Sequence, residues 1–219
     1  MIALPNSNPK VLLTGFDAFG GDEINPSWLA VHALNGQIIA GHTLVSAQLP
    51  TVFGASSHEL YRLIRLHHPA LVICTGVASG RQAVSLERVA INVQDARIPD
   101  NAGAQPVDRY VINDGPAAYF STLPIKAILQ ALTQQGLGAE VSQTAGTFVC
   151  NDVFYALMHK LKKQRSKTPV RGGFIHVPNL PSQGEPCMEL ADTTRALRVA
   201  VECALTTTRD VDLGGGSLS

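Results

Sequence analysis

A chain of 219 residues with 45% hydrophobic and 16% charged side chains is long enough for one sizeable core and too apolar to be disordered. Its 17 lysines and arginines balance 17 aspartates and glutamates, which excludes the basic footprint of a nucleic-acid binder or of a protein held on an anionic membrane. No apolar run approaches the ~20 residues that cross a bilayer. The opening MIALPNSNPK lacks the basic start and apolar run of a secretion signal, so a cytoplasmic protein acting on a small, roughly neutral substrate is expected.

In chain order, Lys10 to Gly15 (KVLLTG) reads as a short buried strand closed by glycine. Asn25-Pro26-Ser27 opens a helix, with asparagine at the cap and proline in the first turn. Ser57 to His67 places Leu60, Leu63 and Ile64 on one helical face, and Pro69 stops it. Ala70 to Thr75 (ALVICT) is a second buried strand, ended by Gly76. Glu87 to Pro116 is polar and rich in proline, glycine and asparagine; it is too long for an ordinary connection and reads as a functional loop or excursion. Ile125 to Gln134 is a helix stopped by Gly136, and Val149 to Lys163 puts Val153, Ala156, Leu157 and Leu161 on one face. Gly172 to Val177 is a last strand, and Met188 to Leu205 a last helix. The alternation predicts an α/β fold with a mainly parallel sheet. Without a repeat or linker, residues 1–219 read as one domain, with flexible ends at 1–9 and 209–219.

Ligands of open α/β sheets bind beyond the carboxyl ends of the strands. By this reading the Gly15-Phe16 turn, the Gly76 to Gly80 loop and His176 all fall there. The GFDAFGG segment, Gly15 to Gly21, is neither GxGxxG nor a P-loop, so it is not a phosphate cradle; its two phenylalanines, Phe16 and Phe19, are otherwise ordinary core candidates. The four cysteines, Cys74, Cys150, Cys187 and Cys203, form no CxxC pair and are expected as free thiols. Cys74 and Cys203 lie in apolar stretches and read as structural. Cys150 stands at the start of a helix, where unpaired N–H groups and the dipole favour an anion, so a lowered thiol pKa and an oxyanion site are expected there. His176 ends a strand ahead of Val177-Pro178, which projects it over the sheet edge. A carboxylate to orient its ring could be Glu87, Asp95 or Asp100, and spacing does not choose among them.

Four blocks in order, LLTGFDAFGGDEINPSW (Leu12 to Trp28), ERVAINVQDARIPDN (Glu87 to Asn101), TAGTFVCN (Thr144 to Asn151) and GFIHVP (Gly173 to Pro178), resemble the pyroglutamyl peptidase I, or pyrrolidone carboxyl peptidase, family. The likeness runs from about Lys10 to Leu205. It implies a three-layer α/β/α sandwich around a twisted sheet, and a cysteine peptidase that removes an N-terminal pyroglutamyl residue. By resemblance, the catalytic cysteine, histidine and glutamate fall on Cys150, His176 and Glu87. Phe16, Phe19 and Phe148 fall on the pyrrolidone pocket, a main-chain contact to the lactam N–H on Asn25, and an arginine near the nucleophile on Arg97. The family implies homodimers or homotetramers, peptide substrates, and neither metal nor organic cofactor.

Two departures stand out. Where family members read GQAGGR, this chain has Gly76-Val77-Ala78-Ser79-Gly80-Arg81, so Val77 replaces a glutamine associated with the substrate ring. Ala18 replaces the usual proline of GFxPFGG. Two rivals to the peptidase reading are a lapsed enzyme that only binds lactam-ended peptides and a nucleoside phosphorylase-like enzyme. The second leaves the settings of Cys150 and His176 without a use.

Overall fold

A computed structural model describes residues 8–164 and 168–216. Of the ends expected to be flexible, residues 1–7 and 217–219 lie outside the described residues. Strand β1 (Lys10–Phe16) is followed by α1 (Pro26–Ala33), β2 (Ile38–Ile39), β3 (His42–Leu49), α2 (Ala55–His67) and β4 (Leu71–Val77). Then come β5 (Val84–Glu87), β6 (Val89–Ile91), β7 (Ala118–Phe120), α3 (Ile125–Gln134) and β8 (Ala139–Ser142). Helix α4 (Val149–Lys163), β9 (Arg171–Val177) and α5 (Leu190–Thr206) complete the chain.

Seven strands form one sheet in the order β2-β3-β1-β4-β9-β5-β8. The β3-β1-β4-β9 centre is parallel, β5 and β8 are parallel to each other, and β5 runs antiparallel to β9. Alternating side chains split the apolar residues between two cores. Val11, Leu13, Ile73, Leu86 and Ile175 face α1, α3 and α5, whereas Leu12, Val72, Cys74 and Phe174 face α2 and α4. The sandwich of helices on both faces of a mainly parallel sheet is therefore as expected.

Local chemistry explains the best-defined ends. Asn25 caps α1 as predicted, its Oδ1 accepting from the Ser27 N–H at 3.0 Å and the Ser27 hydroxyl at 2.8 Å, with Pro26 in the first turn. A Cβ on Gly15 would lie 2.6 Å from the Trp28 nitrogen, so only glycine lets the end of β1 pass under this helix. Strands β2, β3, β5 and β8, and the small β6–β7 ribbon inside the long excursion, were not separated out from sequence. Near the other end, Asp210 accepts from the Lys126 and Ala127 N–H groups at 3.1 and 2.8 Å, holding the segment after α5 against the start of α3.

Candidate active site

The chemistry-bearing side chains gather where β1, β4 and β9 end. On β4, residues 72, 74 and 76 share one face, as do residues 174 and 176 on β9. This is the face covered by α4. Gly76 and His176 are direct partners in the parallel ladder. A Cβ on Gly76 would lie 2.7 Å from Cys150 Sγ, so the thiol occupies the space of the missing side chain. With strands about 4.8 Å apart, that position sets the thiol beside the imidazole. Across the next ladder, Ser85 pairs with His176, and Glu87, two residues on, keeps to the same face. Glu87 Oε1 stands 2.7 Å from His176 Nδ1.

Cysteine, histidine and glutamate, read from three dispersed blocks, are thus brought together. Glu87 is fully buried and His176 nearly so. The other two carboxylates weighed from sequence are engaged elsewhere. Asp100 accepts from the N–H groups of Phe53, Ala102 and Ala104, and Asp95 lines an open surface cavity. Oε1 of Glu87 also accepts from Arg81 Nη1 at 2.8 Å, a contact the sequence reading did not foresee although it quoted the GVASGR segment.

Cys150 is the second residue of α4, whose cap, Phe148, supplies no side-chain acceptor, so the first-turn N–H groups are not taken up by it. The expected lowering of the thiol pKa is not what the surroundings produce. Burial pushes the Cys150 thiol up to about 12; the Glu87 charge adds to this, and Arg81 opposes it. The helix start is outweighed because the sulfur is packed onto the sheet rather than held in water. The surroundings alone therefore do not favour a thiolate here.

Around this centre the aromatic side chains form two groups. Phe16 is buried beneath it, 6.4 Å from Phe174 between ring centroids, and Phe174 lies 4.8 Å from the His176 ring. Phe19 and Phe148 meet at 6.1 Å in the half-buried layer above, and Phe53 packs edge-on against Phe148 at 5.3 Å. Phe53 was missed. It lies in the loop after β3, outside the four blocks whose resemblance placed Phe16, Phe19 and Phe148 in the pocket. Asn25 spends its side chain on the helix cap and on Asp17 O at 2.9 Å, while its carbonyl accepts from Leu29 N at 3.2 Å and has a second lone pair free for another donor. Val77 closes β4, half-buried, and Arg97 is exposed in a cavity of about 620 Å³ shared with Asp95, Ile98 and Phe148.

The long excursion is moored to the same helix start. Asn151 accepts from Ile91 N at 3.0 Å and donates to Ile91 O and Val93 O, both at 2.9 Å. Gln94 donates to buried Asp152 at 2.5 Å, and Thr147 Oγ1 donates to Asp95 O at 2.7 Å.

The sequence profile of the pyroglutamyl peptidase family matches residues 9–207. The chain belongs to that family. It is 54% identical to the pyrrolidone-carboxylate peptidase of Cupriavidus taiwanensis, with 96% of this chain and 99% of that protein covered. It is 55% identical to the Klebsiella pneumoniae protein of the same name, with 94% and 98% covered. Its fold is similar to the crystal structure of pyroglutamyl peptidase I from Bacillus amyloliquefaciens, at a TM-score of 0.91 and 47% identity, over 94% of this chain and all of that one.

Within the family frame, Gly76 becomes a testable part of the site. Its Cβ would collide with the sulfur, so Gly76→Ala must displace Cys150 by a fraction of an ångström or more. Misplacement on that scale costs about 10²-fold in rate. Gly76→Ala should therefore lose about that much kcat while the melting temperature falls only modestly; kcat within threefold of the parent would show that the thiol does not depend on this gap.

Proposed function

We propose that this protein is a pyroglutamyl peptidase, a cysteine peptidase that hydrolyses the bond after an N-terminal pyroglutamyl residue, with Cys150, His176 and Glu87 as its catalytic groups. The observation that carries the reading is the Glu87–His176 hydrogen bond beside a thiol seated over Gly76, in a chain of this family.

Glu87 accepts the Nδ1 hydrogen of His176 and so leaves Nε2 free as the base. Nε2 takes the proton from Cys150 as Sγ attacks the carbonyl joining pyroglutamate to the next residue. The N–H groups in the first turn of α4 hold the tetrahedral oxyanion. His176 returns the proton to the amine as the C–N bond breaks. Water, deprotonated by His176, then hydrolyses the thioester and regenerates the thiol. A neutral lactam offers no ammonium to pair with, so aromatic walls and a few main-chain hydrogen bonds suit it. Phe19, Phe53 and Phe148 supply such walls above a floor built on Phe16, with the Asn25 carbonyl as acceptor for the lactam N–H and Arg97 at the rim.

Release of the fluorophore from pyroglutamyl-aminomethylcoumarin tests the reading. Binding of the substrate without release would replace it with that of a lapsed, lactam-binding protein.

Valine has no side-chain amide, so any hydrogen bond that Val77 makes to the ring comes from its backbone. An amide hydrogen bond contributes about 0.5–1.5 kcal/mol net, which would appear as a several-fold lower KM. Because valine already supplies a main-chain N–H, Val77→Gln should shift KM by less than about threefold with kcat unchanged, and a tenfold gain would refute main-chain recognition.

We place the enzyme in the cytoplasm, as one domain acting in a homodimer or homotetramer; none of the cysteines is in a disulfide among the described residues. Light scattering should give a mass well above 23.3 kDa, and a fully active monomer at micromolar concentration would contradict the assembly.

A further inference from the structure

Glu87 has no exposed part, and a carboxylate withdrawn from water is costly unless charges and donors compensate it. His176 meets it through Nδ1 at 2.7 Å. The positive charge paired with Glu87 is the guanidinium of Arg81, at 2.8 Å. Both donors converge on Oε1, and Oε2 has no partner among the described residues. One oxygen therefore fixes the whole carboxylate, and the free oxygen offers nothing to stop it turning.

Arg81 reaches further. Its Nη2 donates to Thr144 O at 3.3 Å, in the turn that leads to the start of α4. Thr144 Oγ1 in turn accepts from Gly146 N at 3.0 Å. The loop carrying Arg81 is anchored to β9 by Ala78 N donating to Val177 O at 2.9 Å. A single guanidinium thus ties together the β4–β5 loop, Glu87 on β5 and the turn ahead of Cys150. Its charge also opposes the upward push that burial and Glu87 exert on the Cys150 thiol.

We propose that Arg81 is a positioning residue of this site: it pins Glu87 Oε1 toward His176 Nδ1 without touching the substrate. The assignment rests on the peptidase reading given above. The side chain is only partly buried, 28% exposed, so small cations can reach its place once it is removed.

The test uses R81A and R81K in the full-length protein with two readouts. One is saturation kinetics on pyroglutamyl-aminomethylcoumarin. The other is the rate at which iodoacetamide alkylates Cys150, followed by mass, which needs no peptide. R81A should lower kcat by about 10- to 100-fold, the scale on which partners behind a reacting group usually act, with KM within about twofold. It should slow alkylation of Cys150 by about tenfold, since the thiol loses a nearby positive charge. Guanidinium chloride at low millimolar concentration should restore a substantial part of both, and R81K should fall between R81A and the parent because it keeps the charge but not the two-pronged fork.

Unchanged kcat and alkylation in R81A would overturn the proposal. A raised KM at constant kcat would overturn it too, by making Arg81 a substrate contact. Lost activity that neither guanidinium nor R81K recovers, with a lowered melting temperature, would make the role merely structural. A parent protein inert toward the coumarin substrate but showing Arg81-dependent alkylation would sink the peptidase reading and leave the positioning role standing. An active parent with Arg81-insensitive kcat and alkylation would do the reverse.

Discussion

Cys150→Ser should lower pyroglutamyl-coumarin turnover by at least about 10⁴-fold, the scale on which removing a nucleophile acts when its partners remain in place. The hydroxyl would sit over Gly76 as the thiol does, so the substitution changes acidity and nucleophilicity far more than shape. Burial already holds the thiol at about 12. A serine hydroxyl starts several units higher, and the same burial would raise it further, so His176 would have little to abstract. Alkylation of the parent protein provides a second measurement. Cys74 is also pushed up to about 12, by burial in β4, so acidity alone does not distinguish the two thiols. Their settings do: Cys74 is fully buried in β4, with Thr14 as its hydrogen-bond partner, whereas Cys150 is only partly buried, over Gly76 at the start of α4. Iodoacetamide should therefore label Cys150 about 100-fold faster than Cys74, since access and proton transfer both favour it. Equal labelling rates, with the serine variant still active, would remove Cys150 from the mechanism.

The elements that could be read from the chain are those whose local and tertiary signals agree. Asn25-Pro26-Ser27 opened α1 because cap, proline and first turn are adjacent residues, and the stripe through Val153 to Leu161 gave α4 because α4 packs one face on the sheet. Strand β3 escaped because HTLVSAQL buries only Leu44 and Leu49 fully; Thr43 before them and Ser46 and Gln48 between them blunt the pattern. Strand β5 escaped because it ends in Glu87, a charged residue with no exposure, and composition places glutamate at the surface. Only the approach of Arg81 and His176 from two other segments makes that burial tolerable. The choice of Glu87 over Asp95 and Asp100 has the same character. Asp100 looked equivalent in sequence, but its oxygens are consumed by the N–H groups of Phe53, Ala102 and Ala104. The helix-start setting of Cys150 was visible, but the direction of its pKa was not. That direction depends on Gly76 admitting the sulfur into the sheet, a contact between residues 74 positions apart in the chain.

His176→Ala should lower kcat by about 10³–10⁴-fold, near the upper end of what a positioned acid–base group contributes, because the ring serves three steps rather than one. It takes the proton from a thiol that burial keeps neutral, returns it to the leaving amine, and later activates water. Because burial pushes the Cys150 thiol up, little of it is thiolate at neutral pH unless the imidazole accepts the proton. No second base stands in the ladder position beside Gly76, since the partner there is His176 itself. Alkylation of Cys150 should slow together with kcat in this variant, because both need the same proton removed. Glu87→Gln should be milder, about 10- to 100-fold: the glutamine oxygen can still accept from Nδ1, but the ion pair with Arg81 is lost and the amide can turn its nitrogen toward the ring. The order His176→Ala well below Glu87→Gln, with both below the parent, is the signature of a base oriented by a carboxylate. A His176→Ala variant that kept activity within tenfold, while another histidine variant lost it, would move the base elsewhere and break the chain Arg81–Glu87–His176–Cys150 at its central link.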